Sequence, residues 1–277
     1  GMHDHERLAE ALIAAGRAAG ADAADALVTW GEDLGIGTRD GDLEEAERSE
    51  SLDFGLRVMI GQRQACVASS DARPEAIEIL AARAVAMARE APEDRWCGLV
   101  DPAERGTPVD SATLDLEDPA GAPEPAALEA LARAAEEAAA AIPGVTQVDR
   151  ASAGWQRGRV TLAMSDGFLG SYGRSTHSIV VSAIAGTGTG MESDYDYAMR
   201  RRGSALPDPA EIGRSAGERA VARVGAHKAP KGAAPVVFDR RVAASLMGHL
   251  LSAANGSSVA RGASWLKDSM DEAVLPA

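Results

Sequence analysis

The sequence predicts an α+β protein, with antiparallel sheets flanked by helices and the start of a second domain behind them. Three observations carry this. Segments of alternating hydrophobicity gather in two clusters, near residues 25–69 and 145–201, each bracketed by stretches of helical periodicity. Inside the clusters, glycine turns such as Asp40-Gly41 and Asp166-Gly167 mark hairpins, not the long crossovers of a parallel sheet. Gly225 to Ala234, rich in Lys, Pro and Gly, then reads as a linker. The expected division is residues 1–228 as an N-terminal α+β domain and residues 229–277 as the linker and the truncated beginning of a C-terminal domain.

Each element follows from its pattern. Asp4 to Ala19 places Leu8, Leu12 and Ile13 on one helical face, with Gly20 as its cap. Asp25 to Gly37 is β-type but broken by acidic residues and glycines. Phe54, Leu56, Val58 and Ile60 alternate onto one face, and Gly61-Gln62 turns the chain into Gln64 to Ser69, completing a meander with one open edge. Pro74 to Arg89 is a helix with the stripe Ile77, Leu80, Ala81, Ala84 and Met87. Ala91 to Pro123, with five prolines, is a surface connection. Pro125 to Ala141 is helical up to Pro143-Gly144. Val145 to Trp155 and Arg159 to Met164 read as two strands with Gln156-Arg157-Gly158 between them. Phe168 to Tyr172, Ser175 to Ala185 and Glu192 to Arg201 continue the β-cluster, and Pro209 to Val224 closes it as a helix with Ile212, Ala216, Ala220 and Val224 in register. No sequence repeat is evident.

Composition narrows the function. A net charge of −14 disfavours direct binding to a nucleic-acid backbone, which needs clustered Lys and Arg. No apolar run approaches the roughly 20 residues that span a bilayer, and no signal peptide is recognisable, so no membrane association is expected. Cys66 and Cys97 are too few to frame a disulfide scaffold and form no metal-type pair; a reducing cytoplasm is the simplest setting.

The most informative stretch is PVVFDRRVAASLMGHLLSAANGSSVARGASWLKD, Pro235 to Asp268. Pro235 to Phe238 reads as a buried strand, Asp239 as an N-cap and Arg240 to Ala254 as a helix. Along that helix Val242, Leu246 and Leu250 recur at four-residue steps, and Asn255-Gly256 ends it. The stretch resembles the start of the C-terminal domain in the TldD/PmbA (TldE) family, once called modulators of DNA gyrase. In the TldD branch this helix carries HExxxH, two zinc-binding histidines and a general-base glutamate. Aligned on Gly262-Ala263-Ser264, the motif falls on Met247 to Ser252, so Met247, Gly248 and Ser252 stand where the histidines and the glutamate would be. A thioether, a hydrogen and a hydroxyl do not make a zinc site. Neither HExxxH nor HExxH occurs anywhere in the chain.

The resemblance therefore implies the PmbA-like, metal-free subunit of a heterodimeric TldD–PmbA metalloprotease. On that reading this chain has no catalytic residue, no metal ligand and no cofactor, while zinc belongs to the TldD-like partner. The substrates would be unfolded or extended peptides, the link to gyrase, peptide-antibiotic maturation and antitoxin turnover being indirect. The rival reading is a stand-alone homodimeric peptide-binding or regulatory protein. Candidates for a peptide cleft or subunit interface are His249, Asn255, Ser257, Ser258 and Arg261; their plain reading is a partly buried histidine followed by capping and turn chemistry.

Other motifs are weighed and set aside. Gly186 to Gly190 follows a strand, but Glu192 and Asp194 come next without a helix N-terminus, so a turn is expected and not a phosphate loop. Ser175 and His177, with Asp194 or Asp196, suggest a hydrolytic triad but lack a nucleophile elbow. His3 and His5 are expected in a disordered terminus. Arg200-Arg201-Arg202, and Glu44, Glu45 and Glu47, read as solvated charge runs.

Overall fold

The computed structural model describes residues 2–108 and 111–274. The chain forms two compact units that divide after Ala226. The first contains α1 (Met2–Ala18), β1 (Ala23–Arg39), β2 (Asp42–Ile60), β3 (Arg63–Ser69), α2 (Pro74–Glu90), the one-turn α3 (Ser111–Leu114) and α4 (Pro125–Ala140). It continues with β4 (Val145–Met164), β5 (Leu169–Ala185), β6 (Glu192–Arg200) and α5 (Pro209–Arg223). The six strands make one antiparallel half-barrel sheet in the order β3-β2-β1-β4-β5-β6. The run helix, three strands, helix thus occurs twice, and the two meanders join through their first strands, β1 and β4.

Turn chemistry sets the register. Asp40 and Gly41 both take positive φ, 52° and 79°, which matches the turn to the strand twist and pairs Arg39 with Asp42. The long helices of this unit, α1, α2, α4 and α5, pack on one face of the sheet. Ala24, Ala26 and Val28 of β1 and Phe54, Leu56 and Val58 of β2 are buried beneath Leu12 of α1 and Ile77, Leu80 and Val85 of α2. Ala135 and Ala139 of α4, with Ile212 and Ala216 of α5, cover Ile179 and Val181 of β5. Burying each large aliphatic side chain contributes about 1.5–3 kcal/mol.

The structure corrects several expectations. β4 is one uninterrupted strand: Gln156 to Gly158 stay in the ladder, opposite Asp33 to Gly31 on one side and Thr176 to Arg174 on the other. Likewise β5 runs straight through Gly173, merging two expected strands. In α2, Met87 is exposed, and Val85 and Ala88 complete the buried stripe. His5 lies within α1 with its ring 6.1 Å from Trp30, so the terminus is helical there; burial pushes the imidazole below its ordinary value. The side chain of His3 lies outside the described residues.

The second unit contains α6 (Arg240–Ala253) and α7 (Gly256–Ala260). Pro235 to Phe238 forms no strand, and Val236 and Val237 are 71% and 94% exposed. A strand needs a neighbour for its backbone groups, and the described residues of this unit provide none. Val242, Leu246 and Met247 of α6 are also exposed; the buried contacts come from Ala253, Ser264 and Leu266. No described helix is long and apolar enough to cross a membrane.

Candidate functional site

Of the five candidates in the second unit, four lie on α7 and its two caps. The Asn255 side chain caps α7 by accepting from the Ser258 N–H at 3.2 Å, and Arg261 donates to the Ser257 hydroxyl one turn later. Asn255 therefore opens the next helix; it does not close α6 in a left-handed conformation, its φ being −62°. His249 is on α6, exposed, without the partial burial expected for it. Asp239 caps α6 as expected, accepting from the Arg241 N–H at 2.9 Å.

The residues aligned with a zinc motif do not fit zinc. Met247 is 58% exposed, a Cβ added at Gly248 would meet nothing within 4 Å, and Ser252 offers only a hydroxyl. Among the described residues no three His, Cys, Asp or Glu side chains converge on a point where a metal ion could bind.

In the first unit, the structure explains Ser175 and His177 differently from a triad. Both face the helices from β5 and are buried, at 2% and 5% exposure. The acid near His177 is Asp118 of the proline-rich connection, its Oδ2 2.9 Å from Nε2 but off the line of an Nε2–H bond. Asp196 is out of reach, because it pairs with Val181, four residues along β5 from His177. Ser175 Oγ accepts from the Asp118 N–H at 2.7 Å and donates to the Arg201 carbonyl at 2.8 Å, so its proton is committed to backbone. Asp118 in turn accepts from Gly203 N–H at 2.8 Å and Ala120 N–H at 3.0 Å. Arg201 donates to Ser175 O and Thr176 Oγ1, and Arg202 pairs with Asp115, so the arginine run is partly structural. Together these groups lock residues 115–120 and 201–203 onto the sheet. Ser175→Ala is accordingly expected to cost about 1–2 kcal/mol in urea unfolding, from the loss of one buried hydroxyl that serves two backbone groups.

The face of the sheet opposite the helices carries a feature that the sequence reading missed. Gly35 of β1 pairs with Gly154 of β4, and Gly31 with Gly158, leaving two gaps without side chains on this face, separated by the Asp33–Gln156 pair; the first of them floors a cleft. The cleft holds about 390 Å³ and is walled by Asp33 and Glu47 on one side and by Gln156, Thr176 and Met199 on the other. The signal was present: glycines four residues apart in both strands, at positions whose neighbours alternate into the core.

Comparison with known proteins agrees along the chain. Models of PmbA/TldA metallopeptidase domain 1, central domain and C-terminal domain match residues 24–88, 118–224 and 231–277. The chain is 31% identical over 264 residues to Metalloprotease PmbA of Escherichia coli O157:H7, covering 95% of this chain and 58% of that protein. It is 29% identical over 253 residues to a Metalloprotease PmbA homolog of Haemophilus influenzae, covering 91% and 56%. It thus spans somewhat over half the length of these curated relatives. Among solved structures, a candidate modulator of DNA gyrase from Bacteroides thetaiotaomicron superposes with a TM-score of 0.86 at 22% identity, over 97% of this chain and 61% of that one. TldE from Thermococcus kodakarensis superposes at 0.61 and 19%, over 78% and 47%. At such identities the structural likeness concerns the fold.

Proposed function

Because this chain belongs to the PmbA/TldD metallopeptidase family, we propose that it serves as the metal-free, PmbA-like subunit of a cytoplasmic zinc-dependent peptidase. A TldD-like partner supplies zinc and general base, and the complex acts on unfolded or extended peptides. The observation that carries this reading is the composition of α6. The positions of the family's HExxxH hold Met247, Gly248 and Ser252, and no other stretch of the chain has that motif. Without imidazoles there is nothing to hold zinc, and without a carboxylate at Gly248 there is no base to deprotonate a bound water. The part left to this chain is to bind and present substrate. Its long antiparallel sheet suits that work, because an extended peptide that pairs with a strand edge is held through its backbone and little by its sequence.

The test is peptidase activity on casein in the presence of zinc, for this chain alone, a TldD-type protein alone, and the two mixed. Activity that depends on the mixture, and on an intact zinc motif in the partner, is the expected result. Chelator-sensitive hydrolysis by this chain alone would overturn it. Self-association without capture of a TldD-type protein would favour the stand-alone homodimeric peptide-binding protein instead.

A further inference from the structure

We propose that the N-terminal part of β2, Asp42 to Asp53, is an acceptor edge for an extended polypeptide segment with basic side chains at alternate positions. The first observation is one of pairing. β3 covers β2 only from Phe54 to Ile60, whereas β1 pairs with it from Asp42 to Met59. The outer edge of Asp42 to Asp53 has no strand beside it among the described residues, and Asp42 to Ser51 are all exposed. In an antiparallel strand, alternate residues direct their N–H and C=O groups away from the existing neighbour, so this edge offers a row of unused donors and acceptors.

The second observation is charge, and it identifies the occupant. The segment carries Asp42, Glu44, Glu45, Glu47, Glu50 and Asp53 against Arg48 alone. Some of these carboxylates are engaged: Glu44 with Arg39, and Glu50 with the Trp30 indole N–H. Glu45 and Glu47 have no hydrogen-bond or ion-pair partner among the described residues. Both point to the helix-free face, where Glu45 lies over Gly37 and Glu47 walls the glycine-floored cleft beside Asp33. Charged side chains also protect an open edge from pairing with copies of itself, and that protection needs no trough beside them. Two unpaired glutamates on one face, next to a third acid and an open trough, repel one another and leave room for long side chains. A strand added about 4.8 Å outside β2 would direct every second side chain onto this face. Lys or Arg there would reach Glu45 and Glu47 and extend over the glycines. That such a segment is a substrate rests on the accessory-subunit reading; the binding itself is a property of this chain.

The experiment is fluorescence anisotropy at low salt with a labelled ten-residue peptide of alternating Lys and Thr. Two matched peptides serve as controls, one with Glu in place of Lys and one N-methylated at alternate peptide bonds. The lysine peptide is expected to bind and the glutamate peptide to fail. N-methylation, which keeps every charge, should weaken binding about tenfold, as strand hydrogen bonds are lost. The double variant Glu45→Gln/Glu47→Gln, altering two exposed side chains that have no structural partner, should weaken it about fivefold. Equal binding of the methylated and plain peptides would mean nonspecific attraction, and equal binding to parent and double variant would place the site elsewhere; either overturns the inference. Dimerisation through this edge that excludes the peptide would overturn it too. A mixture with a TldD-type protein that cleaves unfolded substrate while these peptides do not bind would remove this edge and leave the accessory role standing.

Discussion

Gly213→Ala is expected to destabilise the first unit by about 3 kcal/mol, although alanine is the better helix former by about 1 kcal/mol. A Cβ at Gly213 would lie 2.0 Å from the Ala135 carbonyl oxygen of α4, a backbone atom that no rotamer change can move. One turn on, a Cβ at Gly217 would lie 2.8 Å from Ile142 Cγ1 and 3.0 Å from Ala139 O. The two glycines let α5 press directly on the backbone of α4, and that contact brings Ile212 and Ala216 down onto β5. Inserting a methyl group forces the helices apart and uncovers Ile179 and Val181. Gly248→Ala is the control. On α6 a Cβ would meet nothing within 4 Å, so only propensity acts, and a gain of about 0.5–1 kcal/mol is expected in the second unit. Urea unfolding read by circular dichroism checks both. If both alanines shift stability in the same direction, the close-approach account of α4 and α5 is wrong.

Local periodicity made most elements legible. α2, α4 and α5 each begin with proline and carry a buried stripe, and both hairpins of the first meander rest on glycine turns that the sequence displays. The merged strands have a common cause: a residue type that usually breaks a strand had its cost met by a distant neighbour. Gly158 suggested an interruption, yet it lies inside the ladder between Gly31 and Arg174, where pairing on both sides holds the backbone extended. Pro235 to Phe238 failed in the opposite sense, since β-branched residues without a neighbouring strand have nothing to pair with. The order helix, strands, helix was legible in both halves of the first unit, but no repeat of residue identity accompanies it; the recurrence lies in topology. Asp118 was out of reach for a similar reason. It sits in a proline-rich connection far in sequence from Ser175 and His177, and only the folded chain places it against them.

That same Asp118 supplies the second large effect. Asp118→Asn is expected to cost about 2–3 kcal/mol at neutral pH. The carboxylate accepts from Gly203 N–H through one oxygen and from Ala120 N–H through the other. An asparagine can satisfy one of these and must turn its own NH2 toward the other, donor against donor, at a side chain only 8% exposed. The Gly203 N–H, then the Ala120 N–H and the nearby His177 hold the Asp118 carboxyl below its ordinary value, against the opposing effect of burial. A carboxyl whose pKa is depressed in the folded state contributes its full stabilisation above the unfolded value, near 3.9, and loses it as pH falls through the folded value. Parent and variant should therefore differ clearly at pH 5 and above and converge in more acidic solution, where the parent takes up the proton that the variant's amide never needs. Urea unfolding at pH 7, 5 and 3.5 measures this. A difference that persists unchanged at the lowest pH would mean that Asp118 holds the two loops through its shape and not through its charge.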